Sequence, residues 1–146
     1  MKLSRTFTYA VQAVRELCAA PVDQTVTCKQ LAKRGGMPER FLLQILRSLV
    51  TGGLLQSNRG VHGGYRLNRK PGEISMLDVL EAVEGPVGFD SPQPLSNGEE
   101  LTELSGLLGE ARSRIRHSLS EIKICRGGQE DEGEDDSPRE QYAVAG

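Results

Sequence analysis

Four side chains on one short stretch are spaced for reading a polyanion. Arg40, Leu43, Gln44 and Arg47 stand at i, i+3, i+4 and i+7, so on a helix they share one side, with Glu39 at its start. An arginine forks onto guanine N7 and O6, and a glutamine does the same for adenine. Leu43 has two readings, contact with a thymine methyl or a widening of the helix's apolar stripe, and the stripe is slightly favoured. A second cluster follows in Arg59-Gly60-Val61-His62-Gly63-Gly64. An arginine on a glycine-rich tip can enter a minor groove, where the potential is negative. His62 at that tip reads as a turn residue or phosphate contact, and Arg66, Arg69 and Lys70 behind it can neutralise phosphates.

The remaining reactive side chains point to no catalysis. There is no GxSxG, P-loop, HExxH or Cys–His pairing, so no catalytic residue and no enzyme is expected. The 3 Cys include no CxxC pair, which argues against a disulfide framework and a zinc knuckle. Cys28 opens a helix beside Lys29, and both features favour a thiolate, so a redox sensor is one reading. Packing between the helices is the favoured one. Cys18 falls on an apolar stripe and reads as core. Cys125 reads as structural or incidental. His62 and His117 have no third ligand nearby, and no metal or cofactor is expected.

Helices must position these groups, and their signals are clear. Residues 4–20 read as a helix with Ser4 as N-cap and Pro21 beyond its end. Phe7, Ala10, Val11, Val14, Leu17 and Cys18 recur at helical spacing. Thr27 and Gln30 form a capping-box pair that opens a helix over 28–34. Gly35-Gly36 breaks it, and Pro38 suits the first turn of the next, over 38–51. Phe41, Leu42, Ile45, Leu46, Leu49 and Val50 make its apolar stripe. Residues 27–52 are therefore a helix-turn-helix, which places its second helix in a DNA major groove. Two extended segments, 54–58 and 65–68, bracket the glycine-rich tip as a hairpin. A basic hairpin directly after a helix-turn-helix is a winged helix arrangement.

Ser75 and Asp78 cap a further helix ending at Glu84. Residues 86–98 are a Pro/Ser/Gly loop. A long helix is expected over 99–125, with Leu101, Leu104, Leu108, Ala111, Ile115, Leu119 and Ile122 forming nearly a heptad seam. A monomer could not bury that seam, so a homodimer through it is expected. From Arg126 the chain turns acidic and Gly-rich and reads as a disordered tail. The stretch 129–140 has seven acids and one arginine. Such a tail could compete with DNA for the basic face, though a solubilising role is commoner.

Composition agrees with this division. The 146 residues suit one domain with an appendage, and 37% hydrophobic residues make a thin core for a monomer. The net charge of -2 hides an asymmetry. Residues 1–70 carry 12 basic and 3 acidic side chains, whereas residues 71–146 carry 6 and 17. A basic half suggests a nucleic-acid partner. No apolar run reaches a membrane span, and the first residues lack a signal-peptide core, so a cytoplasmic protein is expected.

Three segments carry a resemblance: MKLSRTFTYAVQAV, LAKRGGMPERFLLQILRSLVTGGLLQSNRGVHGGYRL and ISMLDVLEAVEG. Together they resemble the Rrf2 family of bacterial regulators over residues 1–85, and the pattern Arg59 to Leu67 (R-G-x-x-G-G-Y-x-L) is specific. The resemblance implies a mainly α fold, with a winged helix-turn-helix DNA-binding domain (1–85), a loop (86–98) and a long dimerisation helix (99–125). It implies a DNA-binding transcriptional regulator acting as a homodimer. Glu39, Arg40, Leu43, Gln44 and Arg47 match the family's recognition helix, and Arg59 matches its wing arginine. Cluster-binding members carry three close cysteines before the long helix, but this chain has no Cys between Cys28 and Cys125. An iron–sulfur cluster is therefore not expected, and the family's cysteine-metabolism repressor is the closer functional analogue. Repression on a palindromic operator is the leading function; an interaction module that lost DNA binding is the alternative. A small-molecule or protein effector is conceivable, but no residue set points to one.

Overall fold

The computed structural model describes residues 3–88 and 99–125, the latter without the side chains of 99–101. Residues 89–98 of the expected loop and the acidic tail from 126 lie outside the described residues. Helix α1 (Arg5–Cys18) is opened by Ser4, whose hydroxyl accepts the Phe7 N–H at 3.1 Å. Helix α2 (Cys28–Gly35) carries the expected capping box. Its Gln30 N–H donates to Thr27 Oγ1 at 3.2 Å, and the Thr27 N–H donates to Gln30 Oε1 at 2.9 Å. Two backbone donors at this helix start are thereby satisfied. Helix α3 (Glu39–Thr51) begins one residue later than expected, because Pro38 is extended and forms the cap itself. Strands β1 (Leu55–Asn58) and β2 (Gly64–Leu67) pair antiparallel, with Leu55 opposite Leu67 and Ser57 opposite Tyr65. After a 3-10 turn at Pro71–Glu73 come α4 (Met76–Glu84) and α5 (Glu99–Glu121).

The apolar stripes read from the sequence converge on one core. Val14, Leu31, Leu42, Leu46, Leu49, Leu54, Ile74 and Val79 are fully buried, so each of the helices α1 to α4 contributes. Tyr9 and Phe41 pack edge to face with ring centroids 5.8 Å apart, joining α1 to α3. Truncating a buried leucine such as Leu46 in such a core costs about 2–5 kcal/mol. The core's purpose is positional. It fixes α3 by its buried side and leaves the other side bare.

Two expectations about the C-terminal part need correction. The long helix stops at Glu121, not at 125. Beyond it the chain turns extended and pairs with the stretch before α4. The Met76 N–H donates to Ile122 O at 2.7 Å, and the Ile124 N–H donates to Ile74 O at 2.9 Å. These bonds replace the i→i−4 pattern, so Ile122 lies past the helix and is exposed. The cysteines are the second correction. Cys18, at the end of α1, and Cys125 form a disulfide, with Cα atoms 6.3 Å apart and 107 residues between them in sequence. The reading of Cys18 as core and of Cys125 as structural or incidental did not foresee this bond, which forms because the extended return after α5 brings Cys125 under α1. Cys28 is the free cysteine among the described residues.

Candidate nucleic-acid interface

Helix α3 presents Glu39, Arg40, Gln44 and Arg47 exposed, while Leu42, Ile45, Leu46 and Leu49 are buried. A helix with this division offers its polar row as a continuous edge. Leu43 is half-buried between the two faces. It lines a cleft of about 650 Å³ between α3 and the wing, together with Arg47, Val50, Arg59, Gly64 and Tyr65. Both readings of Leu43 therefore touch the same groove.

The wing is held by a contact the sequence did not reveal. The Val26 N–H donates to Tyr65 O at 2.9 Å, and the Tyr65 N–H donates to Val26 O at 2.8 Å, so Val26 is a third, one-residue strand beside β2. Thr25 Oγ1 adds a hydrogen bond to the His62 carbonyl at 2.8 Å. The turn itself is closed by Gly63 N–H donating to Gly60 O at 2.9 Å. These bonds tie the tip to the loop before α2 and hold Arg59, Val61 and His62 out in solvent. Val61 is 99% exposed. It was not singled out from the sequence, because a lone valine in a turn carries no periodic signal. An apolar side chain on a wing tip can touch a thymine methyl or wedge at a base step.

Arg66 is placed apart from the other site residues. Alternation along β2 sends it to the side opposite Tyr65. There it donates to Gln56 Oε1 through Nε at 3.1 Å and Nη2 at 2.9 Å. It lines a second cleft with Leu17, Cys18, Pro21, Arg69 and Lys70. Arg69 is paired with Asp78 at 3.3 Å. Burial pushes the Asp78 carboxyl up, but hydrogen bonds from Ser75 and the Arg69 charge outweigh it and hold the group below its usual value.

The thiolate expectation for Cys28 is reversed. Burial pushes its pKa up and the Glu39 carboxylate pushes the same way. Its Sγ–H faces the Glu39 carbonyl at 3.7 Å. The Tyr65 hydroxyl is also pushed up, by burial and by Cys28, and pulled back by Arg47. Cys28 is half-buried against the core, where α2 meets α3. No group of three His, Cys, Asp or Glu side chains gathers for a metal among the described residues.

Helix α5 touches the rest of the chain mainly through α4. Arg116 pairs with Glu81, and Arg112 Nε donates to Val87 O at 2.8 Å. Of the expected seam, Leu108, Ile115 and Leu119 are half-buried, while Leu104, Ala111 and Ile122 are exposed. Leu107, outside the seam as read, is exposed as well. The side chain of Leu101 lies outside the described residues. No helix among the described residues is long and apolar enough to cross a membrane.

A helix-turn-helix with an exposed polar recognition row and a tethered, glycine-tipped hairpin defines the winged helix class of DNA-binding proteins. The chain belongs to the Rrf2 family, described as iron-dependent transcriptional regulators, which it matches over residues 3–126. It is 41% identical over 130 residues to an HTH-type transcriptional regulator by name from Mycobacterium tuberculosis, covering 86% of this chain and 80% of that one. Among solved structures it is similar to CymR, the global cysteine regulator of B. subtilis, with a TM-score of 0.66, 26% identity, and 85% and 93% of the two chains covered. It is also similar to IscR of T. potens, with a TM-score of 0.64, 29% identity, and 85% and 83% covered.

Proposed function

We propose that the protein is a sequence-specific repressor that binds a palindromic operator as a homodimer through α5. The observation that carries this reading is the exposed row Arg40, Gln44 and Arg47 on α3, whose last member, Arg47, lines the same cleft as the wing arginine Arg59. In a two-fold dimer the two α3 helices would enter successive major grooves about 34 Å apart. Arg40 and Gln44 would read base edges, Arg47 would read or orient, and Arg59 with His62 would approach the flanking minor groove. The half-buried and exposed leucines of α5 would form the contact between protomers. Repression would follow from occupying the promoter. Residence in the cytoplasm, and action without catalysis, follow from the same reading.

The donor set of this chain does not fit a three-thiolate iron–sulfur site. Two of its three thiols are bound to each other at the end of α1, and the third is packed between α2 and α3. Cluster ligation needs several thiolates converging on the irons. We therefore infer regulation without a cluster, despite the family's description.

The test is selection of genomic fragments by the purified protein, followed by binding to the enriched duplex across salt concentrations. The expected result is an enriched palindrome whose base preferences change when Arg40, Gln44 or Arg47 is replaced by alanine. Retention of all fragments alike, or of none, rejects sequence-specific binding and favours an interaction module on the same fold.

A further inference from the structure

The return of the chain after α5 does more than end the helix. Residues 122–125 lie against the stretch 74–76, with Ser75 and Lys123 as bridge partners, and Cys125 is buried to 6% exposure. The disulfide then fastens this segment to the last residue of α1. Because the linked residues are 107 apart in sequence, the bond joins the far end of α5 to the opening helix of the winged domain. Without it, the attachments of α5 include its packing on α4, the two backbone bonds at Ile122 and Ile124, the burial of Ile124 and Cys125, and the Arg112 and Arg116 contacts.

The two cysteines differ in exposure. Cys125 is enclosed, whereas Cys18 is half-buried and forms part of the wall of the second cleft, a volume of about 410 Å³. Arg66, Arg69 and Lys70 line the same cleft. This is an entrance for a small anionic thiol, since cations beside a disulfide attract carboxylates and stabilise a thiolate.

We propose that Cys18 and Cys125 are a redox latch, opened and closed by thiol–disulfide exchange with low-molecular-weight thiols carrying carboxylates, which sets how firmly α5 is held to the winged domain. In opening, a thiolate attacks Cys18 Sγ. The Cys18–Cys125 bond breaks, a mixed disulfide forms on Cys18, and Cys125 leaves as a thiolate that takes a proton. A second thiolate attacks the small molecule's sulfur in that mixed disulfide and releases Cys18, again protonated. Two small thiols are oxidised to one small disulfide, and the protein gains two thiols. Closing is the reverse, with the small disulfide as oxidant. The consequence for DNA rests on the proposed function. A loosened α5 no longer fixes the spacing of the two recognition helices, so the reduced form binds the operator about tenfold more weakly, within the usual range of coupling between sites.

The experiment compares the full-length protein equilibrated with glutathione disulfide or with reduced glutathione. Thiols are counted after denaturation, and backbone hydrogen exchange is followed over α5. One thiol per chain, that of Cys28, is expected in the oxidised form and three in the reduced form. Amides of residues 112–122 should exchange about tenfold faster when reduced. Cys18→Ser and Cys125→Ser should each match the reduced wild type under both conditions. Should either variant fail to fold, the wild type in its two states decides alone. Three thiols after glutathione disulfide treatment, or identical α5 exchange in the two states, overturns the latch. Faster exchange on reduction in a protein that binds no duplex in either state keeps the latch and rejects the DNA reading instead.

Discussion

Replacing Gly64 by alanine should detach the wing, and the size of the effect can be worked out. Gly64 has φ +149°, a conformation that L side chains rarely adopt, and a Cβ built there would stand 2.8 Å from Val26 O and 2.9 Å from Val26 C. Holding a non-glycine residue in such a region costs about 1–3 kcal/mol. The contact also pushes on the carbonyl that accepts the Tyr65 N–H, so both Val26–Tyr65 hydrogen bonds are at risk, each worth about 0.5–1.5 kcal/mol net. Together these make roughly 2–6 kcal/mol. At about 4 °C per kcal/mol for a chain of this size, the melting temperature should fall by roughly 8 °C or more if the loss is global. If the wing comes away alone, the fall is smaller and the Val26 and Tyr65 amides lose protection from exchange. Two other glycines separate the causes. Gly60 has φ +108° with nothing within 4 Å of a Cβ, so Gly60→Ala carries backbone strain without a clash. Gly52 has an ordinary φ, but its Cβ would meet Ala82 Cβ at 2.8 Å, so Gly52→Ala strains the α3–α4 contact and leaves the wing alone. Calorimetry, amide exchange and duplex binding on all three variants form the assay. For equal loss of stability, Gly64→Ala should lose more DNA affinity than Gly52→Ala. An unchanged melting temperature with full protection of the Val26 and Tyr65 amides would refute the reasoning.

Arg40→Ala and Gln44→Ala should each cost about 1–3 kcal/mol at one operator position per half-site, whereas Arg66→Ala, turned away from α3, should leave the ranking of sequences unchanged; binding series over operator variants check both. Replacing Leu108 and Ile115 together by Glu should give monomers of low DNA affinity, and an unchanged dimer in sedimentation would remove α5 as the interface. The Asp78 carboxyl is held below its unfolded value, so its contribution is full above the unfolded pKa and is lost as pH falls through the folded one. Asp78→Asn should therefore flatten stability between neutral and acidic pH, read by denaturant midpoints down to about pH 2, well below the ordinary Asp range. Protein prepared anaerobically should be colourless, and stoichiometric iron and sulfide with visible absorption would contradict the cluster-free reading.

Local signals made most of the DNA-binding unit legible. Ser4, the Thr27–Gln30 pair and the Ser75–Asp78 pair each cap a helix in the structure, because capping is settled within four residues. The stripe Leu42, Ile45, Leu46 and Leu49 is buried as its spacing implies, which leaves Arg40, Gln44 and Arg47 exposed. Periodicity decides which side of a helix meets water wherever one side must be buried. The glycines of the wing announced a hairpin for the same local reason.

The rest depended on partners distant in sequence. Nothing near Val26 marks it as the strand that anchors Tyr65, 39 positions on, because one residue has no period. The end of α5 at Glu121 is set by Ile74 and Met76, whose backbone groups take over the hydrogen bonds of Ile122 and Ile124. Helical spacing in the sequence ran on to 125 unaware of them. Cys28 looked acidic from its helix and its neighbour Lys29, yet burial and a carboxylate eleven residues away raise it. Cys18 and Cys125 looked unrelated until the chain folded back. Capping, periodicity and turn chemistry act over a few residues and can be read from the chain itself. Strand pairing, desolvation and the meeting of two sulfurs depend on distances through space, which only the tertiary structure sets.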